Sequence, residues 1–437
     1  MLVGRGAITS ENQAILTHDP HRSTWARACL ALGRTLSAPA ESDSRFAKLA
    51  SWIAEPNRRR RIRSGFEDFQ FPATLPAISE LVREPPTILH LHNLHGGYFD
   101  LRALPDLCKL APLVLTLHDQ WVLTGHCAHS FDCDRWRIGC GECPDLTIYP
   151  AIPRDRTAEN FALKEDVFSR TRLHLAAPCR WLMDRAKNSL LAPAIAEARV
   201  IPNGVDTTIF RPGSKAKERA RLELPPASRI VLYASQPARS QWTNERLLRS
   251  TIRYLAEEGQ VDCTFLFLGS DRNSQEEMGG IKVIHREYER DTSRVAGYYR
   301  ASDVYFHPAR ADTFPTAILE SLACGIPPVA TDVGGIPEQV TSLWASKHAS
   351  ASPRGSATGI LVDGENATGA GRGIDLLLRN DTLRARLGGI GASIAASEFS
   401  IALQAERYLD WYQEILRHHR PSLADQVSRP QVHDQFT

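Results

Sequence analysis

Asp312 and Glu320 stand eight residues apart, on either side of Thr313-Phe314-Pro315-Thr316-Ala317-Ile318-Leu319. In a helix rising 1.5 Å per residue the two carboxylates lie ~12 Å apart, so one can reach a sugar ring while the other reaches a ribose. Pro315 suits the first turn of such a helix, and free backbone amides near Thr316 and Ala317 make a place for an anion such as a diphosphate. A capping Asp and a solvent-facing helical Glu would show the same spacing, so the neighbouring sequence has to separate the two readings. A second cluster, Cys127, Cys133, Cys140 and Cys143, has the spacing C-x5-C-x6-C-x2-C with His126 and His129 beside it. It fits a structural zinc held by four thiolates or by a mixed Cys/His set, a redox-linked disulfide, or reduced thiols in an irregular loop. A third group is cationic. Arg58-Arg59-Arg60-Arg61 and Arg63 follow Leu49 and Ile53, and an amphipathic helix over Phe46 to Ile62 would suit an anionic membrane face. Pro56 interrupts that helix and its apolar positions are sparse, which favours a solvated arginine face instead.

The elements that must position these residues follow from hydrophobic period. From Ile88 onward, short β-branched runs alternate with segments of helical spacing, the pattern of βα units around a parallel sheet. Strands are predicted at Ile88 to His92, Leu113 to His118, Leu173 to Ala176 and Arg199 to Ile201. A second set follows at Arg229 to Tyr233, Thr264 to Leu268, Ile281 to Ile284, Asp303 to Phe306 and Pro328 to Ala330. Between the sets, Pro202-Asn203-Gly204-Val205-Asp206 through Gly213 is dense in turn formers. It divides an N-terminal domain, 1–200, from a second, 201–400, with a closing helix at 401–418 and a loose polar tail at 419–437. Ligands bind outside the carboxyl ends of parallel strands, so a cleft between the two halves is expected. Lys and Arg number 52 against 50 acidic residues, a net charge of +2 that lacks the basic footprint of a nucleic-acid binder. With 43% hydrophobic and 23% charged residues, the composition is that of an ordinary globular protein. No run approaches the roughly 18 apolar residues of a membrane span. Met1-Leu2-Val3-Gly4-Arg5 lacks the pattern of a secretory signal. The expectation is a cytoplasmic protein, peripheral to the inner membrane face if the arginine segment docks there. Cys29, Cys108, Cys179, Cys263 and Cys324 are scattered and read as small core residues.

Ala311 to Glu338, with Ala323-Cys324-Gly325, Pro328-Val329 and Gly334-Gly335 inside it, resembles the acid-x7-acid signature of retaining GT-B glycosyltransferases, in particular glycosyltransferase family 4. Ile201 to Asp206 with Phe210-Arg211-Pro212 is similar to that family's interdomain segment, and Gly359-Ile360-Leu361-Val362 and Glu406-Arg407-Tyr408 to its later motifs. His90-Leu91-His92-Asn93-Leu94-His95-Gly96-Gly97-Tyr98 and Thr116 to Trp121 resemble a branch acting in polysaccharide assembly. The resemblance covers about residues 85 to 418. It implies an α/β GT-B fold, two Rossmann-like domains facing across a cleft. The activity it implies is transfer of a hexosyl-type sugar from a nucleotide-diphosphate sugar to a glycan or lipid-linked acceptor, with retention of configuration, in surface or exopolysaccharide biosynthesis. Carried onto this chain, Glu320 would hold the nucleotide ribose and Asp312 the donor sugar's hydroxyls. The backbone at Phe314, Thr316 and Ala317 would hold the diphosphate, with Asn203 and Gly204 also on the donor side. His118 would contact the donor sugar and help stabilise charge on the leaving side, oriented by Asp119. The acceptor would attack on the face the nucleotide leaves, with a phosphate oxygen taking its proton. Neither a nucleophile motif, a catalytic metal nor a cofactor is then required, and positive donors matter more than a strong base.

The chain departs from this pattern at three places. Where the family carries an Arg and a Lys against the diphosphate, this sequence runs Ser235-Gln236-Pro237-Ala238-Arg239-Ser240-Gln241-Trp242-Thr243, with Gln241 and Trp242 at the two cationic positions. Arg239 is the candidate substitute, since each lost phosphate contact would cost ~1.5 to 3 kcal/mol. Asp312 is one methylene shorter than the usual Glu. No strand followed by a Gly-containing loop and a helix occurs before Ile88, so the first half is expected to lack its opening strand and helix. Two other functions stay open: a catalytically impaired partner protein with a glycosyltransferase fold, favoured by Gln241 and Trp242, and a sugar-nucleotide epimerase, disfavoured by the Asp312-x7-Glu320 and Pro-Asn-Gly-Val-Asp pattern.

Overall fold

The computed structural model describes residues 2–3, 14–15, 18–35, 45–76, 87–234, 241–349 and 355–419. Its first sheet has four parallel strands in sequence order: β3 (Leu89–His92), β4 (Leu113–Thr116), β5 (Leu173–Ala177) and β6 (Ile195–Val200). Ahead of it, β1 (Leu2–Val3) and β2 (Ala14–Ile15) form a separate two-stranded parallel pair. The second sheet has seven strands. β7 (Arg229–Ala234) lies at its centre, flanked on one side by β8 (Cys263–Ser270), β10 (Ile281–Glu287) and β9 (Ser274–Met278). On its other side lie β11 (Val304–His307), β12 (Pro328–Thr331) and β13 (Ile360–Val362). All its pairings are parallel except β10 with β9. Successive residues of β7 face opposite sides: Ile230 and Leu232 join one apolar cluster and Val231 another, all fully buried. A sheet covered on both faces explains why its strands read as continuous apolar runs rather than alternating ones.

Every strand predicted in the two sets is present. β6 begins four residues earlier than expected because Ile195-Ala196-Glu197-Ala198 is only half buried and carries no apolar run. β13 was not among the predicted strands, and neither was β9. Its sequence, Ser274-Gln275-Glu276-Glu277-Met278, is a polar, largely exposed edge, where solvation removes the hydrophobic signal and suits an unpaired rim.

The final helix, Ile401–His418, lays Tyr408, Trp411 and Ile415 against Val114, Ala176 and Ile201 of the first sheet. Gly204 lets it approach: a Cβ there would come within 2.5 Å of the Ile401 Cα. The arginine segment is two helices rather than one, Arg45–Ala54 and Pro56–Arg63, with Pro56 opening the second, a position that tolerates its missing N–H. Arg58 pairs with Glu55 and Asp68, and Arg61 and Arg63 lie over the rings of Phe66 and Trp52. No helix among the described residues is long and apolar enough to cross a membrane.

Candidate active site

β11 ends at His307, and the loop after it delivers Asp312 to the helix Thr316–Ala323. A loop has no ladder to satisfy its backbone, and here side chains do so. Thr331 Oγ1 donates to the Ala309 carbonyl at 2.8 Å, Asn203 Nδ2 to that of Phe314 at 3.2 Å and Gln339 Nε2 to that of Pro315 at 3.0 Å. The Gly-Gly turn after β12 closes over the same loop. Gly334 has φ +58°, and a Cβ there would meet the Asp312 carbonyl oxygen at 1.8 Å, so only glycine fits. The helix start has no capping side chain, which leaves the amides of Thr316 and Ala317 available to an anion.

Asp312, Thr316, Ala317 and Glu320 line one cavity of about 280 Å³ in the second domain. Burial pushes the Glu320 carboxyl up, opposed by the Tyr299 hydroxyl facing it. His307 also lines the cavity; its Nε2 lies 3.6 Å from Asp312 Oδ2 and its Nδ1 2.8 Å from the Tyr305 hydroxyl. Arg290, exposed, is a cation on the cavity wall. Neither was singled out from the sequence, although His307 stands at the carboxyl end of a parallel strand, where such sites gather.

Phe314, Asn203 and Gly204, expected at the donor, do not line this cavity. Phe314 is buried against Phe399, Asn203 ties the interdomain segment to the Asp312 loop, and the Gly204 amide donates to Gln404 Oε1 at 3.0 Å. Their family positions are served by packing: the interdomain segment must hold the loop and the closing helix together. Arg239 lies outside the described residues. Trp242 lines the cavity and stacks on Phe131 of the first domain, with ring centroids 5.5 Å apart. Arg310 lies over the Phe131 ring of that stack, 4.2 Å from its centroid.

His118 follows β4 on the first domain. Its expected orienting partner, Asp119, instead binds His95 Nε2 at 2.7 Å and caps the Trp121 amide at 2.9 Å. The neighbour that meets His118 is His92, Nδ1 to Nε2 at 2.9 Å. Burial lowers the His118 pKa, Asp119 raising it and His95 lowering it further. Below this loop, Lys164, fully buried, donates to the Trp121 and Thr124 carbonyls at 2.9 Å and pairs with Glu67 at 2.7 Å.

The two domains meet beside the site. Glu338 accepts the Arg180 and Trp181 amides at 2.9 and 2.8 Å, placing a second-domain carboxylate on a first-domain helix start, and Cys179 Sγ contacts the Thr313 carbonyl at 3.4 Å. The four clustered cysteines line one small cavity with His126. They are free thiols, and among the described residues no three ligating side chains are arranged to hold a metal ion. Two of the sulfurs have separate partners: Cys140 accepts the Gly125 amide at 3.3 Å and Cys143 lies 3.4 Å from His126 Nε2. Burial pushes the Cys127 and Cys140 thiols up, to about 12 and about 11.

Residues 260–393 match the family described as Glycosyl transferases group 1. A putative colanic acid biosynthesis glycosyl transferase, WcaC, of Escherichia coli is 28% identical over 264 residues, covering 56% of this chain and 60% of that protein. A D-inositol 3-phosphate glycosyltransferase of Thermobispora bispora is 30% identical over 237 residues, covering 51% of each. The chain thus spans about half the length of the curated relatives it matches. Among solved structures, sucrose-phosphate synthase from Thermosynechococcus elongatus superposes with a TM-score of 0.57 at 17% identity, covering 79% of this chain and 78% of that one. Anabaena HepE in complex with UDP-glucose gives 0.54 at 14%, covering 79% and 82%. The chain thus has the α/β fold of GT-B glycosyltransferases, and residues 260–393, which hold the Asp312–Glu320 loop and helix, are similar in sequence to the group 1 family.

Proposed function

We propose that this protein transfers a sugar from a nucleotide-diphosphate sugar to a glycan or lipid-linked acceptor, retaining anomeric configuration, in polysaccharide assembly. The observation that carries the reading is the convergence of Asp312, Glu320 and the uncapped amides of Thr316 and Ala317 on one cavity. In this reading Glu320 takes the ribose hydroxyls, the helix amides take the diphosphate, and Asp312 takes hydroxyls of the donor sugar. Arg290 adds positive charge on the wall where Gln241 and Trp242 supply none. His118 stabilises charge on the leaving side. Stabilising the departing phosphate is the main demand of such a transition state. The UDP-glucose bound to HepE and the colanic acid role of the putative transferase WcaC support the donor and pathway classes. A peripheral membrane contact draws support from Trp25, Leu32, Leu49 and Ile53, exposed on neighbouring helices beside exposed Arg60 and Arg61.

Turnover of UDP-, GDP- and ADP-sugars, with the product anomer read by proton NMR, tests the reading. Transfer with retention supports it, and inversion or hydrolysis without an acceptor product overturns it. The impaired-partner reading rests on Trp242, which stacks on Phe131 where a phosphate-gripping cation would stand. It requires donor binding without turnover.

A further inference from the structure

Three histidines line up from the turn after β4 to the closing helix. His90 and His92 are two apart on β3 and so share a face of the sheet. Their ring centroids are 4.1 Å apart, and the His92 ring stacks on His118 at 5.2 Å with 26° between planes. The His92–His118 contact is also a hydrogen bond, 2.9 Å from Nδ1 to Nε2. Behind them, His90 is held on both nitrogens: Nδ1 meets the Tyr412 hydroxyl and Nε2 meets Thr116 Oγ1 at 2.7 Å, which in turn meets the Tyr408 hydroxyl at 2.8 Å. Tyr408 and Tyr412 belong to the closing helix.

Lost hydration, and then the neighbouring rings, push His90 and His92 down to about 3 and about 4, so both are neutral near pH 7. A neutral imidazole has one donor nitrogen and one acceptor. A hydrogen bond between two such rings therefore fixes a choice: if His92 donates, His118 carries its proton on Nδ1 and can donate with it; if His118 donates, its Nδ1 is a bare acceptor. Asp119 does not make that choice, because its two oxygens serve His95 and the Trp121 amide.

We propose that His92 is the positioning residue of His118, setting the His118 tautomer and ring plane so that Nδ1 presents a proton to the departing oxygen of the donor. The inference rests on the role given to His118 under the proposed function. His90, clamped from the closing helix, is the wall that keeps the His92 ring in place.

The test compares His92→Ala with His92→Asn, whose side-chain amide occupies the place of Nδ1, in the full chain. In His92→Ala, kcat is expected to fall about ten- to a hundredfold with the donor KM within about twofold, the range seen when an orienting partner is lost. His92→Asn is expected to recover most of it. Nitrogen-15 spectra of histidine-labelled protein, with His118 assigned by difference from His118→Gln, should show a protonated Nδ1 in the wild type and mixed tautomers in His92→Ala. Wild-type kcat in His92→Ala, equal losses in the Ala and Asn variants, or an unchanged His118 spectrum in His92→Ala would each overturn the proposal. The spectra need no sugar substrate, so they decide the positioning role even if the wild type proves to transfer no sugar.

Discussion

In the donor site proposed above, Glu320 would meet two opposing demands: a ribose calls for an acceptor with full charge, and burial resists that charge. Glu320→Gln keeps the shape and halves the acceptor capacity. Nucleotide-sugar binding should weaken by about tenfold, equivalent to ~1.4 kcal/mol, in isothermal titration calorimetry; an unchanged Kd removes the ribose role. Because the folded Glu320 pKa is raised, the carboxylate protonates at higher pH than an ordinary Glu, and wild-type affinity should begin to fall above the usual carboxylate range on acidification. His118→Ala is expected to lower kcat by about a hundredfold while the donor KM moves little, as for a contact that strengthens in the transition state. Steady-state kinetics giving wild-type kcat would make His118 structural.

At the scale of elements, β11 carries the Asp312 loop and is anchored at its start by Asp303, almost fully buried. Asp303 Oδ2 accepts from Arg219 and from the Ile230 amide, both at 2.8 Å, and Oδ1 pairs with Lys215. Burial alone would raise its pKa, but Lys215, the Ile230 amide and Arg219 together hold it below the usual carboxylate range. Asp303→Ala leaves a buried guanidinium uncompensated and should cost about 3 to 5 kcal/mol at pH 7 in urea unfolding. A folded pKa below the unfolded ~3.9 means that this contribution is present above pH 4 and lost as pH falls through the folded value. The gap between wild type and variant should therefore close in acid; a gap constant down to pH 2.5 would deny the pairing. In the cysteine loop, where Cys140 and Cys143 turn to separate partners, under about a tenth of an equivalent of zinc is expected by elemental analysis after chelator-free purification. A full equivalent would show that the thiols rearrange around metal.

At the scale of the molecule, Glu338 makes two contacts from the second domain to the first, at a helix start where its charge is favoured. Glu338→Ala should loosen the bridge, raising the radius of gyration in small-angle scattering and the donor KM together. Glu338→Gln, which keeps one acceptor oxygen, should fall between. Identical scattering from wild type and Glu338→Ala would mean that the other contacts between the domains, among them the Cys179–Thr313 contact, the Trp242–Phe131 stack and the closing helix, set the domain geometry without it.

The strands of the two sets and the Asp312–Glu320 segment were legible in the sequence, because parallel strands buried on both faces must be apolar runs and because the glycine at 334 admits no side chain. β9 left no apolar trace on a solvated edge, and the exchange of partners around His118 left none either. Asp119 is adjacent in sequence, yet the turn after β4 sends its carboxylate to His95, while pairing of β3 beside β4 brings His92 across. The same holds for Asn203, Gly204 and Phe314: their identities were readable, but only the packing of the interdomain segment and closing helix assigned them to structure rather than to the cavity. Local sequence determined which groups exist and which strands carry them. Which groups meet was decided by strand register and the approach of the last helix, interactions between residues 26 apart for His92 and His118 and 200 apart for Gly204 and Gln404, which no short pattern encodes.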